Sequence, residues 1–195
     1  MKKSVPALFV FLIVVLSVAC GRHAAPAAPQ TASADTAGFF ALPVFFKDQL
    51  AYAQSVHAPI YRITIKDGKK DSASLNQEVF KQWVDIFLSK DISAPNIKGF
   101  YRESVFRDLG TKSYTLSYTT AHDNAIIQGI DILLDEESNN VKRVFIRSQY
   151  NKGDTSITEQ CNWKAYKSFQ VNRYIHAGRY SSTELNYVNW NNDTP

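Results

Sequence analysis

The chain has 195 residues, of which 45% are hydrophobic and 13% are aromatic. This apolar content is enough to build a core, so it excludes a chain that is disordered throughout, and the length suits one domain with a tether. The 22 basic and 18 acidic residues give a net charge of only +4, which argues against the strongly basic face of a nucleic-acid-binding protein. We therefore expect no nucleic-acid partner.

The first twenty residues carry the most specific pattern in the chain. Lys2 and Lys3 precede an uncharged apolar run from Val5 to Val18, which ends on small residues. A positive start, a short apolar centre and a small-residue boundary are typical of a secretory signal peptide, and the run is short for a membrane span. The sequence predicts that residues 1–19 are a signal peptide.

The stretch Leu16-Ser17-Val18-Ala19-Cys20-Gly21 also resembles the lipobox of bacterial lipoproteins. The resemblance implies that Cys20 is the lipid attachment site, with its thiol joined through a thioether to a lipid that carries two acyl chains such as palmitate, and that cleavage before it makes it the new N-terminus. Ser17 stands three residues before the cysteine, where leucine is usual. An ordinary signal peptide and an uncleaved anchor are the alternatives.

Residues 20–38 are predicted to be a lipidated cysteine and a flexible tether, because they are rich in Ala, Pro, Ser, Thr and Gly. The membrane is then a partner through the N-terminal lipid. In many Bacteroidota lipoproteins an acidic run after the cysteine accompanies export to the cell surface, and this tether has none. By that resemblance we expect the periplasmic face of a membrane in the cell envelope, and Gly21 in place of Asp favours the outer membrane.

The two cysteines of the chain are expected to have different roles. If Cys20 carries lipid, Cys161 has no intramolecular disulfide partner, and an unpaired thiol in an oxidising periplasm is safer buried than exposed. The chain has no CxxC and no HExxH motif, so it lacks the common zinc ligand sets. We expect no metal, no cofactor and no catalytic thiol.

Residues 39–195 are predicted to form a single domain that begins with helices. Apolar residues at helical spacing predict a helix over 42–56, and alternation predicts a strand over 61–66. A second helix is predicted over 72–90, with Ser74 and Gln77 as a capping box.

The string QWVDIFLSKDISAPNIKGFY resembles a pattern of uncharacterised Bacteroidota lipoproteins. The shared features are a tryptophan-bearing helix, an aspartate-isoleucine turn, a proline and a later tyrosine, which are here Trp83, Asp91, Ile92, Pro95 and Tyr101. The resemblance implies no activity, since that family has none assigned.

From residue 113 the hydrophobic period changes from helical to alternating. Short turn-rich segments separate five predicted strands, which can therefore pair only as antiparallel neighbours. The strands are predicted over 113–120, 125–135, 141–150, 155–164 and 169–176, and the tail over 180–195 is predicted to add an edge strand. We expect an α+β fold with two N-terminal helices packed on an antiparallel meander of five to seven strands. The element order resembles a cystatin- or NTF2-like cone.

Alternation also assigns the faces of the sheet. A two-residue turn at Lys152-Gly153 would place Val144 opposite Cys161 and Ile146 opposite Glu159 on the face beneath the helices. The other face would be polar, with Asp131, Arg143, Phe145 and Arg147 able to bind an anionic ligand or a partner protein, unless it is simply solvated.

Glu159 is the anomaly of the inward face, because burying an unpaired carboxylate is costly. It is either a general acid/base or ligand-cavity group, or an edge or rim residue that pairs with a lysine or arginine. Together with the four residues of the polar face, it completes the set of candidate ligand-binding residues.

Three functions remain open from the sequence. The first is a non-enzymatic, lipid-anchored periplasmic protein that binds a partner protein or a small ligand, with a pocket between sheet and helices. The second is a hydrolase-like envelope enzyme that uses Glu159 with His176 or Asp131. The third is a structural scaffold of the envelope.

Overall fold

The computed structural model describes residues 38–191; the predicted signal peptide, Cys20 and nearly all of the tether lie outside the described residues. The described chain is α+β, as predicted, with helices α1 (Leu42–Ser55) and α2 (Gln77–Leu88) and one 3-10 turn at Lys98–Phe100. Its strands are β1 (Ile60–Lys66), β2 (Lys69–Leu75), β3 (Tyr101–Asp108), β4 (Ser113–Thr120), β5 (Ile127–Asp135), β6 (Val141–Lys152), β7 (Thr155–Lys164), β8 (Ser168–Ala177) and β9 (Tyr180–Asn189).

The strands form one antiparallel sheet in the order β2-β1-β9-β8-β7-β6-β5-β4-β3. Consecutive strands from β3 to β9 are neighbours, so the predicted meander is confirmed. β1 pairs with β9, with Ile63 opposite Tyr187. The β1–β2 hairpin therefore extends the sheet beyond the end of the meander and joins the first and last parts of the domain through backbone hydrogen bonds.

The predicted count of five to seven strands is wrong, since the described residues form nine. One added strand is β2, whose second half coincides with the predicted start of the second helix. Asp67 and Gly68 both have positive φ, 48° and 80°, which is the geometry of a tight hairpin turn that sends the chain back along β1. Helix α2 begins only at Gln77, after both strands, so the helices are not both N-terminal to the sheet.

Asn76 caps α2, in place of the predicted Ser74. Its side-chain oxygen accepts a hydrogen bond from the backbone N–H of Val79 at 2.8 Å. This bond satisfies one of the donors that the first turn of a helix leaves free.

The other unpredicted strand, β3, forms the edge of the sheet beside β4. Only Tyr101 of its eight residues is buried, so the strand lacks the apolar alternation by which a half-buried strand is recognised. The tail strand, β9, was expected at an edge. It instead lies between β8 and β1, because the N-terminal hairpin pairs with its free side.

Both helices pack on one face of the sheet through a cluster of aromatic rings. The fully buried Trp163 of β7 contacts Phe46 of α1 and Phe87 of α2, with ring centroids 5.2 and 4.8 Å apart. Phe169 and Trp190 pack against the same indole at 5.0 and 5.4 Å. We call this the covered face and the opposite one the open face. A pocket was expected between the sheet and the helices, but aromatic side chains fill the centre of that interface.

The predicted faces of β6 and β7 are correct, although their predicted register is not. Val144 lies opposite Trp163 and Ile146 opposite Cys161, a shift of two residues, because the turn is at Gly153-Asp154. A shift of two keeps every side chain on its face, since strand side chains alternate with period two. The inward residues Val144, Ile146 and Cys161 are accordingly buried.

Replacement of Trp163 by alanine tests the central role of this ring. We expect Trp163→Ala to lower the free energy of unfolding by about 3–5 kcal/mol, because it removes a buried ring and leaves a cavity between both helices and the sheet. Urea titration would measure the loss. Tyr174→Ala, on the open face with 47% of the residue exposed, should change stability by less than about 0.5 kcal/mol; equal losses would contradict the assignment.

Candidate binding site on the open sheet face

Neighbouring strands align their open-face side chains in rows across the sheet. One row contains Asp131 of β5, Phe145 of β6, Asn162 of β7 and Gln170 of β8, each opposite the next. The adjacent row contains, in the same strand order, Gly129, Arg147, Gln160 and Asn172. These four strands are interior to the sheet, so backbone hydrogen bonds on both sides fix the positions of the side chains.

The two rows surround a concavity of about 330 Å³. This volume is at the small end of the range for small-molecule sites, ~300–1,000 Å³. Its lining combines a carboxylate, a guanidinium, four carboxamides and one aromatic ring, which belong to Asp131, Arg147, Gln160, Asn162, Gln170, Asn172 and Phe145, and it also includes Ile146 and Cys161.

Arg147 can reach the concavity because Gly129 lies opposite it. A Cβ atom at Gly129 would be 2.6 Å from Nη2 of Arg147, which is too close for any side chain to share the space. The guanidinium therefore lies across the bare backbone of β5, with Nη2 3.9 Å from Oδ2 of Asp131. Ser117 holds that carboxylate from the other side by donating its hydroxyl to Oδ1 at 2.7 Å.

The carboxamides supply both donors and acceptors. Nε2 of Gln170 donates to Oδ1 of Asn172 at 3.0 Å, which orients this pair. Oδ1 of Asn162 is shielded from solvent and has no hydrogen-bond partner among the described residues. An unpaired buried acceptor is costly, so Asn162 is a polar residue of the lining whose side-chain oxygen the described residues leave unsatisfied.

Three of the five sequence-predicted ligand-binding residues come together here: Asp131, Phe145 and Arg147. Arg143 is on the same face, opposite Lys164 in the next row, and lies beside the concavity. Glu159 is separated from them, because it faces the helices. The carboxamides were not predicted as site residues, although the sequence repeats Gln-x-Asn on two neighbouring strands, in Gln160-Cys161-Asn162 and Gln170-Val171-Asn172.

Glu159 lies on the covered face between two cations. It is 1% exposed, with Oε1 2.7 Å from Nζ of Lys90 and Oε2 accepting a hydrogen bond from Nε of Arg173 at 2.7 Å. Burial alone would raise the pKa of Glu159, but the hydrogen bonds and charges of Lys90 and then of Arg173 outweigh it and lower the pKa. The expected pairing with a cation is present, but the strand is central, so Glu159 is not an edge or rim residue.

Cys161 is the neighbour of this ion pair on the covered face. Its thiol lies 3.7 Å from Oε1 of Glu159. Burial, followed by the charge of Glu159, raises the pKa of Cys161 to about 12. Cys161 is buried, as predicted, and its raised pKa disfavours the thiolate, which is the nucleophilic form.

The partners named for an enzymatic Glu159 lie on the other side of the sheet. Asp131 lines the open-face concavity, and His176 projects from the same face of β8 and contacts the Ser181 hydroxyl at 3.1 Å. Neither is hydrogen-bonded to Glu159, whose carboxylate contacts Lys90, Arg173 and Cys161. Within residues 38–191 no group of three or more His, Cys, Asp or Glu side chains could hold a metal ion.

Comparisons of this chain with protein-family models, with curated proteins and with solved structures found no match. Within the part of the chain that the structure describes, no helix has the length and apolar character needed to cross a membrane.

Removal of the Glu159 charge tests the ion-pair cluster. We expect Glu159→Gln to lower the free energy of unfolding at pH 7 by about 3–5 kcal/mol, because Lys90 would remain buried without its counter-ion. The pKa of Glu159 is lower in the folded chain than its ordinary value of 4.5. The stabilisation of the folded state by the Glu159 charge is therefore fully present above pH 4.5 and is lost as the pH falls through the pKa of the folded state. Urea titrations of both proteins between pH 7 and 3 would measure the difference.

Glu137→Gln is the matched control, because this glutamate is exposed and its ion pair with Lys112 is long, with 4.0 Å between Oε1 and Nζ. It should have little effect at any pH. A Glu159→Gln difference that stays constant down to pH 3 would contradict an ionised Glu159 in the folded chain.

Proposed function

We propose that this chain is a lipid-anchored protein of the cell envelope that binds a small polar ligand on the open face of its sheet. The observation that carries the binding proposal is the concavity itself. Interior strands hold a guanidinium, a carboxylate, an aromatic ring and four carboxamides around one space of about 330 Å³, on the face that the helices leave uncovered. A few polar groups that converge on one cavity are typical of ligand sites.

The state of Glu159 supports a binding role over the hydrolase-like alternative. A general acid needs a proton to donate near neutral pH, whereas two cations keep this carboxylate ionised and engage both of its oxygens. Its surroundings give it a structural task, the neutralisation of Lys90 and Arg173 beneath the helices.

The proposed location rests on the N-terminal sequence. The lipobox resemblance at Cys20 and the tether composition support anchoring by lipid, and the lack of an acidic run after Gly21 supports the periplasmic face of the outer membrane. Two or three acyl chains would anchor the domain stably. The likeness to cystatin- or NTF2-like cones also stays a proposal, supported by the position of a helix before and after the first strands.

The state of Cys20 can be read directly from the mature protein. We expect mass spectrometry to find an N-terminus at Cys20 that carries acyl chains. A thiol titration in guanidinium chloride should then count one reactive thiol, from Cys161, because the thioether of Cys20 does not react. Two thiols, an unacylated Cys20 or an intact Met1 would refute the proposed lipidation.

Ligand retention tests the site. The mature protein would be incubated with the small-molecule fraction of an envelope extract and re-isolated, and the retained compounds would be identified by mass spectrometry. We expect a compound that the wild-type protein retains and that the variant Asn162→Ala/Asn172→Ala loses, because the variant removes polar groups from the concavity.

The control variant is Gln149→Ala/Thr158→Ala, which alters two paired open-face residues outside the lining of the concavity. It should retain the compound as the wild type does. Circular dichroism would establish that both variants fold. Retention that is equal in all three proteins, or absent from all three, would overturn the binding site.

A further inference from the structure

The open face carries more cations than carboxylates along the rows of residues that include the concavity. The two rows that line the concavity can be followed across the whole sheet, from edge strand β3 to edge strand β2. Over that length Asp131 is their only carboxylate, whereas Arg102, Arg147 and Lys70 are cationic. The next row adds Arg143 opposite Lys164, and neither has an ion-pair partner within residues 38–191. Such a face attracts a ligand that carries at least one negative charge.

A simple anion would use only part of the site. Anions such as phosphate accept hydrogen bonds, whereas the carboxamide oxygens of Gln160 and Asn162 are themselves acceptors and bind only a donor. A hydroxyl group is both donor and acceptor, so a ligand with several hydroxyls can satisfy both ends of a carboxamide.

The aromatic ring adds a third requirement. Phe145 is 39% exposed and stands on β6 between Arg143 and Arg147, two residues from each. Its apolar surface is suited to the C–H face of a saturated ring, which gains from leaving water. Arg147 projects from the same face of β6 as Phe145, two residues further along the strand, and its planar guanidinium can bind a carboxylate through two hydrogen bonds.

We propose that the open-face concavity binds an acidic sugar, an inference that rests on the proposed binding function of this site. The carboxylate of the sugar pairs with Arg147, its hydroxyls bond to Gln160, Asn162 and Asn172, and its ring lies on Phe145. Asp131 accepts a hydrogen bond from a further hydroxyl of the sugar. The preferred ligand therefore has one acid group and several hydroxyls on each ring.

Matched sugar pairs test this specificity. Isothermal titration calorimetry would compare trimers of galacturonate, glucuronate and mannuronate with trimers of galactose, glucose and mannose, which differ in having an alcohol in place of the carboxylate. We expect at least one uronate trimer to bind about tenfold more tightly than its neutral counterpart, the effect of one charge-assisted hydrogen-bond pair. Inorganic phosphate and glutarate, which lack the set of hydroxyls, should bind much more weakly.

Gly129→Ala tests the role of Arg147 without removing any polar group. The added methyl would displace the guanidinium from the backbone of β5, so we expect the preference for the uronate to fall toward that for the neutral sugar. The domain should still fold, because the end of an arginine side chain can move. Gly99→Ala, where nothing lies within 4 Å of the added Cβ, is the matched control and should leave the preference unchanged.

The outcomes separate this inference from the proposed function. Binding of neutral and acidic sugars with equal affinity, or of phosphate or glutarate as tightly as the uronate, would overturn the acidic-sugar specificity. No binding of any sugar would overturn it also, yet the binding function would stand if the envelope extract supplied a compound whose retention depends on Asn162 and Asn172. A uronate preference unchanged in Gly129→Ala would overturn the placement of the carboxylate at Arg147.

Discussion

The packing of both helices onto Trp163 sets the organisation of this domain. Phe46 from α1 and Phe87 from α2 meet on this indole, although they are separated by a hairpin in the chain. Gln49 strengthens the junction, because its Oε1 accepts hydrogen bonds from Nε1 of Trp163 at 3.3 Å and from the backbone N–H of Tyr166 at 2.6 Å. One helix is thus held both to the centre of β7 and to the turn that follows it.

This packing gives the two sides of the sheet different tasks. The covered face is shielded from water. Its carboxylate, Glu159, is therefore paired with two cations, and the pKa of its thiol, Cys161, is raised. Neither α1 nor α2 lies over the open face, which carries polar groups on the same strands. A single stretch of β7 shows the division, because Glu159 and Cys161 point inward while Gln160 and Asn162 line the concavity.

Interior strands make the open face suitable for recognition. Arg147, Phe145 and the carboxamides project from β6, β7 and β8, each paired on both sides, so a ligand would not need to order the backbone on binding. Gly129 also shapes this face, because the absence of a Cβ leaves space over the backbone of β5 for the guanidinium of Arg147. The site is therefore built as much from backbone position as from side-chain chemistry.

The sequence by itself determined the properties that depend on local order along the chain. Period-two alternation located β4 and β7 with their observed bounds and assigned inward Val144 and outward Arg147 correctly, since a strand turns successive side chains to opposite faces. The same alternation grouped Asp131, Phe145 and Arg147 before any contact between strands was known.

Only the tertiary structure decided the features that join distant segments. The pairing of β1 with β9, the assignment of β2 and β3 as edges, and the meeting of Lys90 and Arg173 at Glu159 depend on contacts between parts of the chain that no local period relates. Edge strands also escape detection because neither face must be apolar. The carboxamide cluster shows the same limit, because the two Gln-x-Asn segments come together as part of the candidate site only when β7 pairs with β8 in this register.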